Sequence, residues 1–349
     1  MRASGEAYTG HQNQPLTTTS VVMCKKIFEE GNFTVERPIL NNSESKPTAF
    51  LLDSIFVSGV YVNYAENFLN LLMREYNVFV GGWDNNLTNG ARYFGKEDYA
   101  RCVANGIEAV KTYSSRDEIQ LLVVFSSGLG IALLASEERQ LGFKKLGVIG
   151  TPCDFRIPWA DYYRNYRLVC EDDLITDGNK IGMIRGREID KLFAWMDLKY
   201  NSLMGKFTYY DTDYYYHKMA IRESMKGHHR LAGSANEDDD GSNGRIIGPE
   251  SYKHVNMPVK AYNDWMDIVR YNILETRNLY FENETIDCAA ALYGYKDYLT
   301  HGFSSLEPFL AKLNLGAKVV SLGSEFGHRE LLGIHAARHH ETLLGFLRE

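Results

Sequence analysis

The stretch from Leu121 to Ala135 constrains the fold of this chain more than any other. It opens with an apolar run that indicates a buried strand, passes through Ser126, Ser127 and Gly128, and ends in an apolar run typical of a buried helix. A strand, a sharp turn with a serine and a helix form the layout of a nucleophile elbow. Gly128 fits the small residue wanted two positions after the nucleophile, whereas Val124 departs from the small residue wanted two positions before it. We therefore predict Ser126 as the nucleophile; the alternative is an ordinary strand-to-helix turn without chemistry.

Strands and helices alternate on both sides of this stretch. The pattern predicts strands at 21–28, 33–38, 49–52, 77–83, 121–125 and 146–150, later strands at 286–292 and 317–322, and helices at 64–76, 98–113 and 329–347. Such alternation predicts right-handed βαβ units and a doubly wound, mostly parallel sheet.

The alternation divides the chain into a core and an insertion. Residues 1–20 are polar and predict a loosely held lead-in, whereas 21–155 and 286–349 form the predicted core. Residues 156–285 lose the alternation and predict a mainly helical cap over the carboxyl edge of the sheet, with helical pieces at 186–203 and 257–281.

An acidic segment lies inside the predicted cap. Residues 227–244 combine four consecutive acidic residues with glycine, serine and asparagine, which predicts a solvated, mobile loop. A metal site built from its carboxylates with His228 and His229 is the alternative, and the prediction for the chain as a whole is no metal and no cofactor.

Composition excludes several classes of protein. The formal net charge of −7 disfavours nucleic-acid binding, which needs clustered basic residues. No apolar run reaches the roughly 18 residues of a membrane span, and the polar start predicts no secretory signal. The five cysteines are scattered without CxxC pairing, which predicts free thiols, a reducing compartment and therefore a cytoplasmic protein.

Two further residues complete a candidate triad with Ser126. Asp297 follows the predicted late strand 289–293, and His328 follows the last strand, 319–322. Loops at the carboxyl ends of parallel strands are where a doubly wound sheet presents its ligands. His328 would accept the Ser126 proton, and Asp297 would orient the imidazole. The alternatives are a turn aspartate and a helix-capping histidine.

The remaining functional predictions concern the oxyanion site and the terminal histidines. The backbone N–H of Ser127 is the first predicted oxyanion donor, and the loop after strand 49–52 should supply the second. That loop reads Asp53-Ser54-Ile55-Phe56 rather than His-Gly, and Ile55 is the predicted backbone donor. His335, His339 and His340 lie on the terminal helix and are predicted to be surface residues.

Five segments resemble the polyhydroxyalkanoate synthases, a branch of the α/β-hydrolases, over residues 45–349. They are YNVFVGGWD at 76–84, KEDYARCVANGIEAV at 96–110, GTPCDF at 150–155, RNLYFEN at 277–283 and GHRELLG at 327–333. The resemblance implies an α/β-hydrolase fold with an inserted cap. It also implies that Ser126, Asp297 and His328 match the nucleophile, acid and base of that family.

The chain departs from this family at the nucleophile. Those enzymes use a cysteine, and a thiolate suits repeated exchange between acyl-thioesters, whereas a serine forms a more stable oxoester. We therefore expect a serine acyl-enzyme catalyst, either a thioesterase or esterase or an acyltransferase or cyclase. Its small-molecule acyl substrate would be carried on coenzyme A or a carrier protein, and the chain could assemble as a homodimer. The alternative is a catalytically decayed relative that serves as a binding or scaffold partner.

Overall fold

The structure is a computed structural model of the 349-residue chain. It describes residues 24–39, 42–58, 66–84, 87, 90–151, 178–186, 188–189, 253–271, 281–294, 318–324, 330–332 and 336–348. The predicted lead-in, the acidic segment 227–244 and most of the predicted helix 186–203 lie outside these residues.

An eight-stranded sheet forms the centre of the described structure. Its strands are β1 (Cys24–Glu30), β2 (Phe33–Pro38), β3 (Thr48–Leu52), β5 (Asn77–Trp83), β6 (Ile119–Phe125), β7 (Phe143–Ile149), β11 (Cys288–Gly294) and β12 (Lys318–Ser324). Their order is β1-β2-β5-β3-β6-β7-β11-β12. The first three pair antiparallel, and all pairs from β5 to β12 are parallel. The predicted mostly parallel sheet is therefore confirmed.

The structure gives the full bounds of five α-helices that accompany this sheet. They are α1 (Glu66–Met73), α2 (Lys96–Ser114), α3 (Gly128–Glu138), α4 (Val259–Tyr271) and α5 (Ala337–Arg348). The step from β3 to β5 runs in one direction across the sheet, and the steps from β5 to β6 and β6 to β7 run in the other. Because βαβ crossovers are right-handed, α1 belongs to one face while α2 and α3 belong to the other. Helix α5 contacts α1, so both faces are covered.

The central strands β3, β6 and β11 are almost continuously apolar because both of their faces are buried. The three residues Leu51, Val123 and Ala290, on three different strands, are all fully excluded from solvent. None of the helices in the described ranges is long and apolar enough to cross a membrane.

One predicted element differs in form. The sequence predicts one helix over 329–347, whereas the structure has a 3-10 turn at Glu330–Leu332 and then α5 from Ala337. The apolar spacing does not show that Glu330–Leu332 takes the tighter 3-10 form instead of an α-helical turn.

Parts of the predicted cap are described at the carboxyl end of the sheet. The short strand β4 (Val57–Ser58), just after β3, pairs antiparallel with β9 (Lys253–His254). A second short pair joins β8 (Met183–Ile184) and β10 (Met257–Pro258). Helix α4 meets the start of α2, where the Lys96 N–H donates to Asp264 Oδ2 at 2.9 Å.

Candidate active site

Ser126 adopts the strained backbone of a nucleophile elbow. It follows the last residue of β6 directly, and its φ of 51° lies in the left-handed region that L-residues avoid. The only other non-glycine residue with a positive φ in the described ranges is Ser115, which caps the end of α2. The Ser126 N–H donates to Ile149 O at 3.0 Å, so the turn is tied to β7. Strain of this kind at the end of a central strand points to a functional role for the side chain.

Close packing behind Ser126 explains the glycine two residues later. A Cβ at position 128 would lie 3.0 Å from Asp53 O and 3.1 Å from Leu52 O. Because both neighbours are backbone atoms, they cannot move aside, and only glycine lets α3 begin so close to the end of β3.

The valine two residues before Ser126 is accommodated inside the sheet. Val124 lies in β6 opposite Leu52 on one side and Val148 on the other, and it is fully buried. The larger valine side chain at this position is therefore accommodated by ordinary packing between neighbouring strands.

The loop after β3 contacts the elbow through two hydroxyl groups. Ser54 Oγ and Ser127 Oγ are 2.7 Å apart, and the Ile55 N–H donates to Ser127 Oγ at 3.0 Å. The Phe56 N–H approaches Ser54 Oγ at 3.4 Å. The structure therefore brings the predicted donor Ile55 beside the elbow, but its N–H is engaged by the Ser127 side chain. Ser54, which sequence reasoning did not single out, contacts the same Ser127 hydroxyl.

The predicted cap holds the same loop from the other side. The Val255 N–H donates to Phe56 O at 2.9 Å, next to the β4–β9 pair. The Trp265 ring of α4 meets the Phe56 ring edge to face, with centroids 6.1 Å apart. The loop is thus held between the elbow and the predicted cap.

Asp297 and His328 lie outside the described residues, so the triad stays a prediction. The strands that precede them in the sequence are described: β11 ends at Gly294, three residues before Asp297, and β12 ends at Ser324, four residues before His328. Both strands run parallel to β6, so their carboxyl ends share its edge of the sheet.

His340 is buried, so the prediction of a surface position is wrong for this residue. Its Nε2 lies 2.6 Å from Leu331 O, and its ring packs on Phe68 with centroids 4.8 Å apart. Burial lowers the pKa of His340 to about 4, against a smaller opposing effect of the Leu331 carbonyl. His339 is half-buried, and His335 lies outside the described residues.

The two cysteines with perturbed acidity in the described ranges are poor nucleophiles. Burial raises the pKa of Cys24 to about 11 and that of Cys102 to about 12, with acidic neighbours adding to the effect. Both are therefore thiols rather than thiolates near neutral pH.

Comparisons with known proteins show the fold. No family model matches the chain, and no curated protein sequence does. Among solved structures it is similar to one from a study of carboxylesterases of the thaumarchaeon Nitrososphaera gargenis, with 9% identity, a TM-score of 0.53, and 93% of this chain and 98% of that chain covered. A hydrolase from Pseudomonas aeruginosa PA01 gives 12% identity, a TM-score of 0.51, and 93% and 98% coverage. A thermophilic esterase from Thermogutta terrifontis is similar at 12% identity and a TM-score of 0.50, with 93% of this chain and 98% of that chain covered.

The chain has the α/β-hydrolase fold, as the sequence predicts. The finer resemblance to polyhydroxyalkanoate synthases stays a prediction, as does the cytoplasmic location.

Proposed function

We propose that this chain is a serine acyl-enzyme catalyst, a thioesterase or esterase or else an acyltransferase or cyclase, with Ser126 as the nucleophile. The observation that carries the proposal is the left-handed backbone of Ser126 at the carboxyl end of the central strand β6. An L-residue is held there only when the surroundings enforce it, and a projecting nucleophile supplies the reason. The esterases among the similar structures support the same chemistry.

The roles of the other residues follow from the same edge of the sheet. His328 takes the Ser126 proton as general base and returns it to the leaving group, while Asp297 orients its imidazole. The Ser127 N–H, at the start of α3, donates to the oxyanion, and the positive end of the helix dipole adds to its effect. The Ile55 N–H is the second candidate donor, once Ser127 Oγ releases it.

The proposed substrate is a small acyl group carried as a thioester on coenzyme A or a carrier protein, or as an ester. Attack by an alkoxide on a thioester is favourable because the thiolate leaves readily. The resulting oxoester suits one transfer, to water or to another acceptor, rather than repeated exchange between thiols. Residues 156–285 form the proposed cap over Ser126, consistent with the contacts of β9 and α4 at that edge.

A catalytically decayed protein that binds a partner is the second candidate function. One observation favours it: the Ile55 N–H, a candidate oxyanion donor, is engaged by Ser127 Oγ. A decayed site could keep that closed arrangement permanently.

Covalent labelling separates the two functions. Wild type and Ser126→Ala are incubated with a fluorophosphonate probe and, separately, with a panel of acyl-thioesters, and intact mass is recorded. The catalytic proposal expects one adduct per chain in the wild type and none in Ser126→Ala. No adduct with any reagent in the folded wild type would leave the binding function standing.

A further inference from the structure

The contact between Ser54 and Ser127 leaves one hydroxyl hydrogen without an acceptor among the described residues. Two backbone N–H groups, of Ile55 and Phe56, point at the two hydroxyl oxygens. Only one of the two hydroxyl hydrogens can lie between oxygens 2.7 Å apart. The other hydroxyl hydrogen has no acceptor among the described residues.

A buried donor without an acceptor is costly, and here it lies beside the proposed nucleophile. Ser54 is 3% exposed and Ser127 is 2% exposed, so water does not readily satisfy them. A carbonyl oxygen that enters the site and becomes negatively charged is the acceptor that such a group lacks.

The Ser127 hydroxyl is committed to the loop rather than to its own helix. Ser127 occupies the N-cap position of α3, where a serine hydroxyl ordinarily accepts a backbone N–H of the first turn. Its side chain makes no such bond. The Ser127 hydroxyl oxygen accepts the Ile55 N–H instead. If the Ser127 hydroxyl then donates its hydrogen to Ser54 Oγ, the two bonds form a chain in which each bond polarises the next.

We propose that the Ser54 hydroxyl is the second oxyanion donor of this chain, with Ser127 Oγ as the group that orients it. The inference rests on the proposed function of Ser126. In this proposal the Ser54 hydroxyl takes the role of the Ile55 N–H, which already donates to Ser127 Oγ. The loop that carries both residues lacks the His-Gly pair. In the reaction the Ser126 oxygen bonds to the acyl carbon, the carbonyl π pair moves onto oxygen, and Ser54 Oγ–H and Ser127 N–H donate to that oxygen. The proton of Ser126 passes to His328.

Second-order rate constants for fluorophosphonate labelling at Ser126 test the proposal, with hydrolysis of p-nitrophenyl butyrate as a second readout. Loss of one oxyanion donor costs on the order of 10²–10³-fold in rate, and Ser54→Ala is expected to show this loss in labelling and in kcat with KM little changed. Ser54→Thr, which keeps the hydroxyl, should be faster than Ser54→Ala. Affinity for butylboronic acid, which forms a tetrahedral adduct, should fall with kcat, whereas a purely structural role would leave it unchanged.

Ser136→Ala is the matched control. Ser136 is another buried serine of α3, and its Oγ has no hydrogen-bond partner in the part of the chain that the structure describes. Its variant should label at the wild-type rate.

Ser127→Ala distinguishes the two candidate donors because it frees the Ile55 N–H. The proposal expects a smaller loss than in Ser54→Ala, because a backbone donor becomes available when the orienting hydroxyl is lost. If Ser54→Ala labelled as fast as Ser136→Ala, the proposed role of Ser54 would be wrong. The same would follow if Ser127→Ala, alone among the variants, labelled faster than the wild type. In either case Ser126 would remain the proposed nucleophile. Absence of labelling in the wild type would overturn the proposed function and this inference together.

Discussion

Two buried polar clusters at opposite ends of the sheet satisfy their backbone donors in different ways. At the amino end, the carboxylate of Glu284 accepts the N–H groups of Leu141, Gly142 and Phe143, with the Gly142 bond at 2.8 Å and the Phe143 bond at 3.4 Å. At the carboxyl end, the Ser54–Ser127 pair meets two backbone N–H groups and retains a hydroxyl hydrogen. One carboxylate offers about four lone-pair sites, so the first cluster is complete, whereas the second is open to an incoming acceptor.

The difference indicates that the two ends serve different purposes. A fully matched buried cluster stabilises the fold, and Glu284 joins the start of β7 to the segment that leads into β11. A cluster with a donor to spare costs stability until a ligand completes it. Substitutions in the Glu284 cluster should therefore mainly lower the free energy of unfolding, whereas substitutions in the Ser54–Ser127 pair should mainly lower the rate of reaction at Ser126.

Replacement of Glu284 is expected to give the largest loss of stability. Glu284→Ala leaves three backbone N–H groups without their acceptor, and each buried unsatisfied donor costs about 1–3 kcal/mol, so the free energy of unfolding should fall by about 3 kcal/mol or more. Glu284→Gln keeps one acceptor oxygen and should lose less. Urea unfolding gives the free energies, and fluorophosphonate labelling of the folded fraction should match the wild type. A labelling defect without a loss of stability would contradict the division between the two ends.

The sequence predicted the strands well because a parallel sheet covered on both faces needs continuous apolar runs, and 121–125 is one. It also predicted the sharp strand-to-helix turn at Ser126, because turn chemistry is local, whereas the role of Ser126 as the nucleophile stays a prediction. Glu284 could not be predicted, since its partners lie more than 140 residues away in the sequence. His340 was misplaced for a similar reason: Phe68 and Leu331 cover it, and spacing within one helix does not show them.

His340 should make the fold sensitive to acid. Its pKa, about 4 in the native state, lies below the ordinary value of 6.5, so the unfolded chain binds the proton first as the pH falls. No stability is lost above about pH 6.5; the loss grows between pH 6.5 and 4 and then levels off, at about 3 kcal/mol in total. His340→Gln keeps a donor for Leu331 O without titrating, so its free energy of unfolding should fall less over this range.

The control for His340 is its neighbour on α5. His339→Gln should retain most of the wild-type pH dependence, because burial of the His340 ring is the main cause of its lowered pKa and the charge of His339 is only a smaller one. An equal acid loss in His340→Gln and the wild type would show that another group causes it.

Gly128→Ala tests the packing that positions the elbow. The new Cβ would meet two backbone oxygens of the β3 end at 3.0 and 3.1 Å, so an overpacking cost of about 1–3 kcal/mol is expected. Gly345→Ala is the control of opposite sign, because nothing lies within 4 Å of a Cβ there and alanine favours a helix interior by about 0.5–1 kcal/mol. Thermal unfolding of both variants gives the two changes in stability. If Gly128→Ala were as stable as the wild type, position 128 would not lie as close to the end of β3 as the structure shows.

The smallest expected effect concerns the backbone of Ser126, and its measurement tests whether the left-handed conformation there is strained. Ser126→Gly and Ser126→Ala both lack the hydroxyl, so a difference between them reports the backbone alone. Glycine takes a φ of 51° freely, whereas alanine pays about 1–2 kcal/mol for a left-handed conformation. Part of this advantage is offset by the greater freedom of glycine in the unfolded chain, so Ser126→Gly should be more stable by up to about 1 kcal/mol. Ala132→Gly, within α3, should have the opposite sign because its backbone is helical. If Ser126→Gly were the less stable of the two position-126 variants, the turn would be relaxed, and the main support for a projecting nucleophile would be lost.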